Sequence, residues 1–290
     1  MRNLLIGSLY LSAAASIWGA LFIAVRLAVP VIPPIPLVWC RYVLALFALL
    51  LVAWVAGASL RVPHTHWRNL FLVGLIGNTI SIVTQETGTM LTSAQTGSII
   101  TAATPAFMVI CAYFMLHERL TAGRIMSVAL ATAGVLLIVA DPEGVQVTAS
   151  GAAALIIAAL TWAVMSVLLK MLPGLSPITV TFWGVMTGAI LLAPYAVRWL
   201  LCSADWQAMA APEVCGSVLY IGCVSTTGGF VLWNKGLLYM DASIGGLFLF
   251  FQPIVGTFLG WLLLGEPVTM WTFLGAGLVF LGVLLAMRGK

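Results

Sequence analysis

The tetrapeptide Gly134-Val-Leu-Leu137 recurs as Gly282-Val-Leu-Leu285, 148 residues further on. Worked backwards with the same shift, Glu118 falls on Glu266, Pro105 on Pro253, Ala94 on Ala242, Gly88 on Gly236 and Gly74 on Gly222. Nearer the N-terminus, before a four-residue insertion, the shift is 144. It carries Trp18 onto Trp162, Arg26 onto Lys170, Pro33 onto Pro177 and Trp39 onto Trp183. One match in a Leu-rich chain would mean little. Two tryptophans, two prolines, a glutamate and a tetrapeptide in one order mean internal duplication, with halves at 1–144 and 145–290.

Composition says what each half is made of. Of 290 residues, 62% are hydrophobic and 7% are charged, where ordinary globular domains carry about 25% charged residues. The mean hydropathy is +1.15. Water cannot be the main solvent of such a chain, which excludes a soluble enzyme, a nucleic-acid-binding domain and a disordered regulator. A helix needs about 20 mostly apolar residues to cross a bilayer core, so roughly ten spans fit with their connections.

The expected spans are Leu4–Val29, Pro36–Gly57, Asn69–Leu91, Ala94–Leu116 and Thr121–Ala140 in the first half. Gly151–Met171, Ile178–Leu201, Val214–Tyr239, Asp241–Leu264 and Val268–Met287 follow in the second. The breaks between them are Pro- and Gly-rich, for example Pro30-Val-Ile-Pro-Pro-Ile-Pro36 and Pro173-Gly-Leu-Ser-Pro177. Helices are expected over strands, because a spanning segment must satisfy its own backbone and these runs are too long for barrel strands. The fold class is therefore all-α integral membrane. Arg2 with the apolar run and Ala13-Ala-Ala15 superficially fits a cleaved signal peptide, but the repeat makes this segment the first span.

Five spans per repeat force the second half to enter the bilayer upside down. Inverted repeats around a midplane site are a signature of transporters that alternate access. Loop charge tests the topology separately. With the N-terminus inside, Arg2, Arg61, Arg68, Arg119, Arg124, Lys170, Lys235, Arg288 and Lys290 gather at inner ends; only Arg26, Arg41 and Arg198 lie outward. Both termini are expected in the cytoplasm, and the membrane is the cytoplasmic (inner) one.

The segments Ser93-Ala-Gln-Thr-Gly-Ser98, Thr104-Pro-Ala106, His117-Glu-Arg-Leu-Thr121 and Gly134-Val-Leu-Leu137 together resemble the fourth and fifth helices of the EamA family, within the drug/metabolite transporter superfamily. Asp241-Ala-Ser243, Gln252-Pro253 and Leu264-Gly-Glu-Pro267 repeat the pattern in the second half. The resemblance covers essentially the whole chain. It implies ten helices as two inverted five-helix repeats, and a central cavity enclosed by the first, third, fourth, sixth, eighth and ninth. It also implies efflux of amino acids or other small metabolites.

Candidate site residues follow from spacing within that frame. Glu86 sits within the third span, where a bare acid is costly and should find a partner. Arg26 and Arg41 lie at similar depth, so a Glu86–Arg pair in the outer half is expected. Three roles stay open for it: a static pair, substrate contact or gating, and reversible protonation. Asn78, Ser81 and Gln85 share one helical face, and the 148 shift maps them onto Thr226, Gly229 and Trp233, with Glu86 mapped onto Asn234. One amide-lined wall facing an open aromatic one suits an amphipathic solute. Trp18 and Trp162 lie deep within their spans. Gln252 precedes Pro253, and Pro105 and Pro253 are candidate hinges by kinking spans four and nine. Thr101 and Thr104 are placed to bond the carbonyls such kinks free. Lys170 and Lys235 complete the charged set as gating or pairing residues. Glu118 and Glu266 are expected to cap or pair locally, and Gly184/Gly188 and Gly256/Gly260 to serve close helix packing.

Other chemistries find no support. His117-Glu-Arg-Leu-Thr121 lacks the second histidine of a zinc-binding pair, Gly275-Ala-Gly277 opens no phosphate loop, and no nucleophile–base set is present. No cofactor and no metal are expected. Cys202 and Cys215 flank one loop and could be bridged; otherwise the five cysteines read as small hydrophobes. The expected partners are a small-molecule solute and the lipid bilayer; a homodimer is compatible with the sequence and nucleic acid is not. No ATP-binding motif appears, so movement of solute must draw on a gradient. An importer or uncoupled facilitator, and a membrane scaffold or receptor without transport, are the rival readings.

Overall fold

A computed structural model describes residues 2–139, 148–264 and 270–288. Among these the regular elements are all helical. They are α1 (Arg2–Ala28), α2 (Pro34–Val55), α3 (His64–Leu91), α4 (Ala94–Thr101), α5 (Thr104–Leu116) and α6 (Ala122–Val139). Then come α7 (Ala149–Leu169), α8 (Pro177–Cys202), the short α9 (Trp206–Met209), α10 (Pro212–Leu237), α11 (Ala242–Leu263) and α12 (Met270–Arg288). Seven of them (α1, α2, α3, α7, α8, α10 and α11) are long and apolar enough to cross a bilayer. Glu266 lies outside the described residues.

The helices start where the sequence allows. Ser176 and Thr148 cap α8 and α7 by accepting the Thr179 and Gly151 amides, and Pro34 and Pro177 occupy first-turn positions whose missing N–H costs nothing. The first span is a core element: Leu11, Ala14, Ala15 and Trp18 are buried. It packs on α10 and α11, while α7 packs on α3 and α5, α2 on α8, and α6 on α12. Exchanging α1 for α7, α2 for α8, α3 for α10, α4–α5 for α11 and α6 for α12 maps this set of contacts onto itself.

Two departures from regular helix recur in that exchange. The turns widen to a π-helix over Val73–Ser81 in α3 and over Tyr220–Gly229 in α10. The wider turn brings side chains opposite the carbonyls five residues back. The Asn78 amide donates to the Val73 carbonyl (3.3 Å) and the Thr79 hydroxyl to that of Gly74 (3.0 Å). In α10, Thr226 and Thr227 donate to the Ile221 (2.8 Å) and Gly222 (3.2 Å) carbonyls.

The second departure corrects the expectation of a continuous, kinked fourth span. The helix stops at Thr101 and restarts at Thr104, which puts Pro105 in the first turn of α5 rather than inside a helix. Proline has no N–H for the Thr101 carbonyl four residues back, and the Thr104 hydroxyl takes that carbonyl instead (2.6 Å). In α11 the turns tighten to a 3₁₀ segment over Leu247–Phe250, just before Pro253. The Gly184/Gly188 pair serves close packing. A Cβ at Gly184 would stand 2.7 Å from Asn78 Nδ2, and one at Gly188 would stand 2.6 Å from the Tyr42 ring.

All five cysteines are free, so Cys202 and Cys215 are not bridged. Cys202, Cys215 and Cys223 are exposed rather than buried.

Candidate functional site

Three helices meet at a buried ion pair. Arg41 of α2 and Glu86 of α3 are both fully buried, and Arg41 Nη1 lies 2.6 Å from Glu86 Oε1. Arg41 Nε donates to the Thr226 hydroxyl of α10 at 2.8 Å. The arrangement leaves two atoms over: Arg41 Nη2 and Glu86 Oε2 are buried without a hydrogen-bond partner among the described residues. Removing water from two charges is costly, and the return depends on satisfying the remaining protons and lone pairs. Here that satisfaction is incomplete among the described residues.

Arg41 also faces a cavity with about 400 Å³ of empty space, part of it open to the outside. Its polar lining comes from Arg41, Gln85, Thr101, Thr104 and Gln252; its apolar lining comes from Trp18, Leu21, Ile82, Trp162, Phe230 and Leu249 among others. A second, smaller cavity, with about 240 Å³ of empty space that is also partly open to the outside, is lined by Asn78, Thr181 and Asn234 with Val73, Met165, Val180 and Trp233. Trp162 and Phe230 belong to both walls. With Trp18 and Trp233 they form an aromatic cluster: Trp18 and Trp162 lie edge to face at 5.1 Å, as do Trp162 and Phe230 at 5.3 Å, and Trp18 and Trp233 lie tilted to one another at 5.3 Å. Such contacts rigidify beyond their buried area. The Trp18 indole N–H is tied to the Ser225 carbonyl (3.1 Å), whereas that of Trp162 is buried and has no partner among the described residues.

The same family matches the chain twice, over residues 5–140 and 149–288, and it is described as the EamA-like transporter family. The chain belongs to that family. A transporter of Archaeoglobus fulgidus, itself uncharacterized, is 27% identical over 97% of this chain and 98% of its own length. A protein of Salmonella typhimurium named as a probable amino-acid metabolite efflux pump is 25% identical over 94% of this chain and 92% of its own. A solved crystal structure shares the fold, with a TM-score of 0.81 at 18% identity over 98% of this chain and 99% of that one. This EamA-like protein is thus a multi-pass membrane transporter, not an enzyme.

Within this transporter the residues singled out by sequence fall into three groups. Trp18, Gln85, Trp162 and Gln252 line the first cavity, and Asn78, Trp162, Trp233 and Asn234 the second. Glu86 is buried behind Arg41 and lines neither. The remaining charges sit elsewhere. Arg26 is exposed and donates to the Met90 carbonyl (3.2 Å), so the partner of Glu86 is Arg41 rather than Arg26. Lys235 lies over the Tyr10 ring at 4.7 Å, away from both cavities, and pairs with no acid among the described residues.

Sequence spacing missed Phe230 and Thr181. Phe230 lies three and four residues before Trp233 and Asn234, the spacing that would have put it on their face. Thr181 accepts from Asn234 Nδ2 at 2.8 Å and carried no signal of its own.

A separate polar cluster ties helix ends together. Glu118, just past α5, accepts the Ala242 and Ser243 amides at 3.0 and 3.3 Å and so caps α11, which Asp241 does not cap. Arg124 reaches both Glu118 (3.5 Å) and Asp241. Lys170, one residue beyond α7, donates to the Met240 carbonyl. Burial pushes its ammonium below the usual lysine range, against the opposing pull of the Glu118 and Asp241 charges. Arg26 on the Met90 carbonyl and Lys170 on that of Met240 make the same kind of contact at positions related by the 144 shift.

Proposed function

We propose that this chain is a secondary transporter that exports small amphipathic metabolites, amino acids or related solutes, across the cytoplasmic membrane by alternating access. Ten spans form two inverted five-helix repeats, 1–144 and 145–290, with both termini cytoplasmic and the repeats rocking against one another. In this topology Gln85 and Arg41 lie in the outer half and Asn78 and Asn234 in the inner half, so the two cavities are the outward and inward vestibules of one path. The observation that carries this reading is the Trp18–Trp162–Phe230–Trp233 cluster, built from α1, α7 and α10, which stands between two cavities of mixed polarity. Pockets that hold small solutes combine an apolar wall with a few placed polar groups, and both cavities have that make-up. The near-exchange of helix contacts between halves supports rocking about the cluster, with the broken fourth span and the 3₁₀ turn before Pro253 as bending points. The name of the Salmonella relative supports the solute class and direction.

Counterflow in proteoliposomes tests this, with a panel of amino acids, nucleosides, cations and sugars. The parent should exchange one class. The double variant Gln85→Leu/Gln252→Leu, which removes two cavity amides, should exchange it about tenfold more slowly or worse. Absence of counterflow for every class in correctly reconstituted parent protein would refute the reading.

A further inference from the structure

We infer that Arg41 is the specificity-determining residue of the first cavity, and that its free Nη2 docks the carboxylate of a net-neutral solute. This rests on the transport reading above and names the chemistry the path accepts. Arg41 is the one charged residue on the lining among the described residues. Its Nε and Nη1 are committed to Thr226 and Glu86, which fixes the guanidinium plane and leaves Nη2 as a buried donor without a partner. Trp162, which lines this cavity and the second, has an indole N–H that is also buried without a partner among the described residues. An indole N–H and a guanidinium cannot accept, so both call for an acceptor on the ligand. Carboxylates and phosphates are the acceptors that gain most from a guanidinium, and the charge balance of the site selects the carboxylate of a zwitterion.

Another part of the lining has the opposite polarity. The Thr101 hydroxyl gives its hydrogen to the Gly97 carbonyl (2.7 Å) and the Thr104 hydroxyl gives its own to the Thr101 carbonyl (2.6 Å). With those protons spent, each hydroxyl can meet a ligand only as an acceptor, which suits an ammonium. Charge balance points the same way. With Glu86 ionised, the Arg41–Glu86 pair carries no net charge, so a bare anion would leave the buried site charged, whereas a zwitterion would not. The apolar body of the solute then lies against Leu21, Ile82 and Leu249.

The test is competition for counterflow by leucine, leucinamide, isopentylamine and 4-methylpentanoate, which share one apolar body and differ in their charged groups. Leucine should compete about 10- to 100-fold better than leucinamide or isopentylamine, as loss of a hydrogen bond to a charged group implies. In Arg41→Gln/Glu86→Gln, which removes both charges and strands neither, that preference should vanish. Equal competition by leucine and leucinamide in the parent overturns the assignment, as does a preference that survives in the double variant. If the double variant does not fold, the parent comparison alone decides. Counterflow of nucleosides, cations or sugars without competition by leucine overturns the carboxylate site and leaves transport standing. Absence of any counterflow overturns both.

Discussion

One pair of equivalent positions, on α3 and α10, is tied to equivalent helices with different chemistry. In the first half Glu86 of α3 reaches back to Arg41 of α2 through a buried ion pair at 2.6 Å. In the second, Asn234 of α10, related to Glu86 by the 148-residue shift, reaches back to Thr181 of α8 through a neutral hydrogen bond at 2.8 Å. Duplication preserved the position on α3 and α10, but Thr181 lies one helical turn from Val185, the counterpart of Arg41, and the charge stands on one side only. Holding two such helices together therefore does not require charge at this position. The ion pair, with an atom unpaired on each partner, adds a cost that a purely structural link avoids.

The sharpest way to break this comparison is to remove one partner from each link. Arg41→Met strands a buried carboxylate and should cost about 3–5 kcal/mol; Asn234→Ala should cost about 1 kcal/mol. Thermal unfolding of the purified protein in detergent checks both. Comparable losses would mean that the charges add nothing to the link's demands. Arg41→Met/Glu86→Gln should recover much of the single-variant loss, because no charge is left unpaired.

The paired tryptophans offer a finer contrast. Trp18 is pinned over Gly229, where an added Cβ would stand 2.5 Å from its indole nitrogen. At the equivalent position in the first half stands Ser81, whose hydroxyl bonds the Ala158 carbonyl (2.8 Å). Gly229→Ala should cost about 1–3 kcal/mol through overpacking and quench or shift tryptophan fluorescence. Ser81→Ala should cost about 1 kcal/mol and leave the fluorescence unchanged.

Much of the frame was legible in the sequence because its signals are long: apolar runs set by bilayer thickness, a repeat spread over both halves, and a glutamate too costly to leave alone in a span. The choice between Arg26 and Arg41 was not legible, since both lie at similar depth; it depends on which helix face turns inward, and Arg26 faces out. The π-helical turns were hidden because no residue type marks them. Asn78 and Thr226 read as cavity candidates, yet each also spends a side-chain donor on a carbonyl five residues back. The break in span four lay one step beyond the sequence reading. Pro105 announced a disturbance and Thr104 its repair, but only the packed structure decides between a bend and a restart. Glu118 was expected at a local cap, and the helix it caps proved to be one 124 residues away in the chain.

The central claim is that two cavities flank one aromatic cluster and open to opposite sides in turn. Single cysteines at Gln85 and Asn234, in a background with the five native cysteines replaced, test it with membrane-impermeant thiol reagents. Gln85→Cys should react from the outer face and Asn234→Cys from the cytoplasmic face, each faster than the lipid-facing control Ile190→Cys, and transported solute should change the two rates in opposite directions. Reaction of both from the same face, or neither faster than the control, would contradict the account.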